Sequence, residues 1–145
     1  MYKHILVPDD GSALSAKAVE HGIALAKAVG ARITGVTVTP PFHVFAVEPS
    51  VLTDTPEVYG KRVGALAAAN LDRIQAVAKA AGVSCEVLHL EHDQPYQAII
   101  EAAGGRGCDL IVMASHGRRG MSALVIGSET VKVLTHSKVP VLVCR

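Results

Sequence analysis

Short runs of β-branched and aliphatic residues alternate along this chain with longer Ala-rich stretches whose apolar positions recur every three to four residues. Ile5-Leu6-Val7-Pro8 reads as a first strand, and Asp10-Gly11-Ser12 as the turn that starts a helix, with Ser12 or Asp10 as its cap. That helix carries Leu14, Ala18, His21, Leu25 and Ala28 at helical spacing and ends at Gly30. Arg32 to Thr39 is a second strand, stopped by Pro40-Pro41. Residues 42–55 have no period but are apolar for a loop, and Phe42, Val44, Phe45 and Val47 are expected to pack over the next helix. That second helix spans Pro56 to Ala81, with Val63, Leu66, Ala67, Leu71, Ile74 and Val77 on one face and Pro56 suited to its first turn. A third strand from Cys85 to Leu90 and a helix from Tyr96 to Ala103 follow. Asp109 to Ala114 is the most hydrophobic strand and therefore central. A last helix, Glu129 to Thr135, precedes a fifth strand, Val139 to Cys144.

This alternation predicts an α/β fold with an open, twisted, five-stranded parallel sheet and helices on both faces, a Rossmann-like arrangement. Right-handed crossovers winding outward from strands one and four give the order 3-2-1-4-5. Neither a repeat nor a linker interrupts residues 1–145, so one domain is expected. Half of the residues are hydrophobic but only 3% are aromatic, so the core must be aliphatic.

Charge and composition narrow the function. Fourteen Lys and Arg against thirteen Asp and Glu leave a formal charge of +1, which lacks the electropositive footprint of a general nucleic-acid binder. No apolar run approaches the roughly 20 residues that span a bilayer, so no membrane partner is expected. The N-terminus enters the strand pattern without a signal-peptide cleavage region. Cys85, Cys108 and Cys144 form no C-x-x-C pair and read as buried thiols of a reducing compartment, which points to the cytoplasm.

In an open parallel sheet a ligand sits beyond the carboxyl ends of the strands where the strand order reverses. Here that crevice lies between Pro8-Asp9-Asp10 and Met113-Ala114-Ser115. Gly117 and Gly127 are separated by nine residues, and Ser128 follows at a helix start. A helix N-terminus offers unpaired N–H groups and a positive dipole end, both favourable to phosphate, and glycine lets the backbone approach an anion closely. Arg118 and Arg119 add charge. The same residues also suit a simple turn capped by Ser128. The seven histidines show no zinc-ligand spacing, and no Ser-His-Asp or Cys-His set is arguable from order alone.

Three stretches together resemble the universal stress proteins of the small single-domain kind. They are Ile5 to Ser12, Asp109 to Gly117, and Gly127-Ser128 through Val139 to Val143. Nucleotide-binding members of that family carry G-x2-G-x9-G-[ST]. Gly117, Gly127 and Ser128 keep its last three marks, and Ala114 replaces its first glycine, which a negative φ at that position tolerates. The resemblance implies ATP as cofactor, with Mg²⁺ or Mn²⁺ as the bridging cation. Val38 and Met113 would pack on the adenine, and Pro8 and Asp9 would line the adenine and ribose side. Asp10 would approach the ribose or a metal. Gly117, Gly127, Ser128 and the Glu129 backbone would hold the phosphates, with Ala114, His116 and Arg118 in the same loop. Asp9 stands where many relatives have Thr and brings an extra negative charge toward an anionic ligand.

The expected function is an ATP-binding stress-response or regulatory protein that is at most a slow ATPase. Homodimerisation through Val139–Cys144 is implied as well. One alternative is a nucleotide-free, dimeric interaction or chaperone-like protein of the same family. A more remote one is a phosphoacceptor receiver domain, in which Asp9-Asp10 and Lys138 mimic the acidic pair and the lysine.

Overall fold

The computed structural model describes residues 1–42, 55–117 and 125–145. Its elements run β1 (His4–Pro8), α1 (Ala13–Val29), β2 (Arg32–Thr39), α2 (Pro56–Ala81), β3 (Cys85–Glu91), α3 (Pro95–Gly105), β4 (Leu110–Ala114), α4 (Ser128–His136) and β5 (Val141–Cys144). The five strands form one parallel sheet in the order β3-β2-β1-β4-β5. This is the order expected from the sequence, and it differs from the 2-1-3-4-5 order of receiver-type domains. The central strands β1 and β4 pair Ile5 with Leu110 and Leu6 with Ile111. Their carboxyl ends open at the point where the winding reverses.

Period-two alternation divides the core into two layers. Ile5, Val7, Ile33 and Val112 face α1 and α2, meeting Ala18, Val19, Ile23, Ile74 and Ala78. Leu6, Val36, Ile111 and Met113 face the other way, against Ile99, Ala103 and Val133 of α3 and α4. Small residues bring the helices close. A Cβ on Gly22 would stand 2.8 Å from Val7 Cγ2, and one on Gly35 would stand 2.7 Å from Ile74 Cγ2. Gly30 and Gly82 end α1 and α2 in the left-handed conformation, at φ 72° in each case, where a side chain would be strained.

Several expectations need correction. His21 and Ala28 are exposed, and the buried stripe of α1 is Ser15, Ala18, Val19, Gly22, Ile23 and Ala26. Leu66 of α2 is 44% exposed. β5 begins at Val141 rather than Val139, because the Val139 N–H donates to Ser137 Oγ and Pro140 has no N–H to give. Phe42 does pack edge-on against Tyr59 of α2, with ring centroids 5.3 Å apart. Val44, Phe45 and Val47 lie outside the described residues. Cys108 and Cys144 are buried, and burial pushes the Cys108 thiol up to about 11, so it is held protonated and unreactive at neutral pH. No helix among the described residues is long and apolar enough to cross a membrane.

Candidate functional site

The carboxyl ends of β1 and β4 bring the two polar stretches singled out in the sequence side by side. From β1 come Pro8, Asp9 and Asp10; from β4 come Met113, Ala114, Ser115, His116 and Gly117. The Ser12 N–H donates to Asp10 Oδ1 at 2.9 Å, an Asx turn that holds the Asp10 carboxylate above the start of α1. Its other oxygen lies against Gly117, where a Cβ would come within 2.3 Å of Oδ2. Asp10 and Gly117, 107 residues apart by number, therefore meet in space.

The start of α4 is anchored to the same loop. Gly127 donates its N–H to Ser115 O at 2.7 Å, and Thr130 Oγ1 donates to the Ala114 carbonyl at 3.0 Å. A Cβ on Gly127 would stand 3.1 Å from His116 Cα and 3.2 Å from His116 Cβ. The residue at the N-cap is Gly127, which offers no side chain to cap the helix. The first intrahelical bond runs from the Val131 N–H to Gly127 O. The N–H groups of Ser128, Glu129 and Thr130 thus precede the helical ladder, at the positive end of the dipole. Glu129 keeps only its backbone for such a role. Its carboxylate accepts the Tyr96 N–H of α3 at 2.9 Å and the Lys132 ammonium at 3.2 Å.

Ala114 does not obstruct this geometry. No non-glycine residue among those described has positive φ, so the methyl group sits on ordinary strand backbone. Met113 and Val38 lie on the α3/α4 side of the sheet, Met113 in the buried cluster and Val38 half-buried against it. His116 is half-buried, 3.2 Å from Ser115 Oγ through Nδ1. Beside it a groove of about 310 Å³ is lined by Leu14, Lys17, Ser115, His116 and Arg145. Arg118 and Arg119 lie outside the described residues.

Asp9 behaves differently from the sequence expectation. Its side chain is fully buried and paired with Arg73 of α2. Arg73 Nε donates to Oδ2 at 2.9 Å, Ser15 Oγ to Oδ1 at 2.7 Å and the Gly11 N–H to Oδ1 at 2.9 Å. The extra negative charge is compensated within the fold, facing α1 and α2. Alternation along β1 carried this signal, since Ile5, Val7 and Asp9 share one face. Arg73 itself carried none, being 64 residues from its partner.

The residues present suit a phosphate-bearing ligand. Uncapped helix donors lie beside a glycine whose Cβ would crowd the loop, and Gly117 of that loop lies against the Asp10 carboxylate, a group whose chemistry suits a hard cation or a hydroxyl. Among the described residues no group of three or more His, Cys, Asp or Glu is placed to hold a metal by itself, so a cation here would also need ligand oxygens.

Comparison with known proteins accords with this architecture. Residues 1–145 match the model of the Universal stress protein family. A universal stress protein of Thermus aquaticus is 34% identical over the full length of both chains. The solved structure of the hypothetical protein MJ0577 of Methanocaldococcus jannaschii superposes with a TM-score of 0.82 at 25% identity, covering 99% of this chain and 96% of that one. A universal stress protein crystallised in complex with cAMP superposes with a TM-score of 0.70 at 25% identity, covering 98% and 95%. The chain belongs to the universal stress protein family.

Proposed function

We propose that this protein is a nucleotide-binding stress-response or regulatory module that takes ATP in the crevice between β1 and β4. The observation that carries the reading is the glycine-capped N-terminus of α4, docked on Ser115 and His116 of the loop whose Gly117 lies against Asp10. Val38 and Met113 form the apolar wall for the adenine. Pro8 and the Asp9 backbone line the ribose side. The backbone N–H groups of Ser128 and Glu129, with Gly117 and Gly127, receive the phosphates. Asp10 would hold the ribose or, together with ligand oxygens, a Mg²⁺ or Mn²⁺ ion, which would supply charge neutralisation for the triphosphate. The cAMP complex of a relative supports an adenine nucleotide as the ligand class. Turnover in this reading is no more than slow.

We also propose a homodimer through the β5 edge. Val131 and Leu134 of α4 are 45% and 44% exposed, and Leu142 of β5 is 43% exposed. An apolar edge strand with little charge favours pairing with a second copy.

The test of the binding assignment is the nucleotide content of freshly purified protein, released by heat and separated by ion exchange. The proposal expects adenine nucleotide at a sizeable fraction of the protein concentration, or full loading after incubation with ATP and Mg²⁺. Protein that stays empty after that incubation contradicts it and favours the nucleotide-free interaction protein.

A further inference from the structure

The Asp9–Arg73 pair does more than neutralise a buried charge. Arg73 reaches across from α2 and touches three consecutive pieces of the β1–α1 connection. Its Nε donates to Asp9 Oδ2 at 2.9 Å, and its Nη2 pairs with Asp9 Oδ1 and approaches Ser15 Oγ at 3.4 Å and Ser12 O at 3.5 Å. Asp9 Oδ1 in turn receives the Gly11 N–H and the Ser15 hydroxyl. One turn of chain from residue 9 to residue 15 is thereby gathered around a single guanidinium. The next bond outward is the Ser12 N–H to Asp10, whose second carboxylate oxygen lies against Gly117.

Neighbouring contacts show that this part of α2 is aimed at the site's edge of the sheet. Asn70, one turn earlier, donates to Thr37 Oγ1 at 3.2 Å, so positions 70 and 73 both point polar groups at the carboxyl ends of the strands. Two adjacent aspartates are thus sorted into opposite directions. The strand alternation turns Asp9 inward, and Arg73 holds it there. Without that partner, a desolvated carboxylate facing an apolar layer has a strong incentive to reach water. The half-buried turn at Asp10, next along the chain at the carboxyl end of β1, is the adjacent way out.

We propose that Arg73 is a positioning residue for the nucleotide site: it keeps the Asp9 carboxylate out of the crevice and fixes the turn that presents Asp10 to Gly117. This rests on the nucleotide reading given above. Its bidentate contact matters as well as its charge, because a guanidinium fork can hold both carboxylate oxygens while an ammonium holds one.

The experiment compares Arg73→Met, Arg73→Lys and the double variant Arg73→Met/Asp9→Asn with the native chain, measuring ATP and adenosine affinity by calorimetry and amide exchange by NMR. Arg73→Met should weaken ATP by about tenfold or more and adenosine much less, because the released carboxylate repels phosphate. Asp9→Asn should restore most of the ATP affinity in the Arg73→Met background, and Arg73→Lys should fall between. The Gly11 and Ser12 amides should exchange faster in Arg73→Met while that of Ile99, on α3, keeps its native rate. Parallel loss of ATP and adenosine, or no recovery in the double variant, overturns the proposal. So does an equal acceleration at Gly11, Ser12 and Ile99, which marks a purely global stabilising role. If Arg73→Met does not fold, Arg73→Lys and Asp9→Asn alone decide by the same two readouts. If the native chain binds no nucleotide, the binding assignment fails, and exchange at Gly11 and Ser12 still decides whether Arg73 fixes the turn.

Discussion

Substituting Gly127 isolates the contact between the start of α4 and the loop after β4. The residue has φ −64° and ψ 152°, an extended conformation open to any side chain, so backbone strain plays no part. What a side chain meets is steric. A Cβ would stand 3.1 Å from His116 Cα, 3.2 Å from His116 Cβ and 3.5 Å from Ser115 O. Alanine therefore demands a shift of a few tenths of an ångström, and it pushes on backbone rather than on a flexible side chain. Valine adds two methyl groups in the same crowded space. Overpacking of this kind costs about 1–3 kcal/mol. The loop can relax only by drawing α4 away from Ser115, which moves the N–H groups that the nucleotide reading requires. If that cost falls on the bound geometry, ATP affinity drops by roughly 5- to 150-fold, with Gly127→Ala at the low end and Gly127→Val at or beyond the high end. Calorimetric titration with MgATP gives the affinity, and thermal unfolding of the same samples separates it from loss of the fold. Native affinity in a folded Gly127→Val protein would refute the reasoning.

Other perturbations reach different parts of the account. Asp10→Ala should weaken ATP binding by about 1–3 kcal/mol, the range for losing a charged hydrogen-bond partner; a lowered melting temperature with intact affinity instead makes Asp10 only a turn residue. Replacing Val141 and Val143 with Lys should give monomers at micromolar concentration by sedimentation, and a native chain that is already monomeric when concentrated removes the β5 interface. Burial, then the nearby Arg32, holds the His4 imidazole below its ordinary value of 6.5. The unfolded chain then binds the proton more readily, so His4's contribution to stability is complete above about pH 6.5 and lost as the pH falls through its lower folded value. Melting temperature should decline on acidification from pH 7.5, less steeply in His4→Gln; an unchanged slope in that variant would remove His4 as the cause. Gly35→Ala should cost about 1–3 kcal/mol by urea unfolding, since its Cβ would lie 2.7 and 2.8 Å from two carbons of the fully buried Ile74; a neutral result would mean that α2 can shift off the sheet.

Strand identity was readable because β-branched runs report burial directly, and strand order followed from the handedness of the crossovers. Where hydropathy misled, a small or polar residue was buried for a reason the pattern does not encode. Helical spacing puts His21 and Ala28 in line with Leu14, Ala18 and Leu25 of α1, but the buried stripe includes Ser15 and Gly22 instead. Gly22 is buried because α1 lies so close to Val7, and Ser15 because its hydroxyl serves Asp9. Glycine spacing marked the loop at Gly117 and Gly127, and folding does bring Asp10 against Gly117. Arg73 stayed invisible, since a counter-ion from a distant helix leaves no local trace. Asp9 was half-legible, because an acid in phase with Ile5 and Val7 on an apolar face calls for a cationic partner.

The central claim is that an adenine nucleotide sits between the carboxyl ends of β1 and β4. An ATP titration of the ¹⁵N-labelled chain, read residue by residue in NMR spectra, tests it most directly. Saturable shifts at Asp10, Val38, Ala114, Gly117, Gly127, Ser128 and Glu129, with α2 beyond Arg73 quiet, are the predicted result. An unperturbed spectrum at millimolar ATP contradicts the claim. So do shifts centred on a groove of about 390 Å³ between β3 and α3, lined by Leu88, Leu90, Glu101 and Arg106.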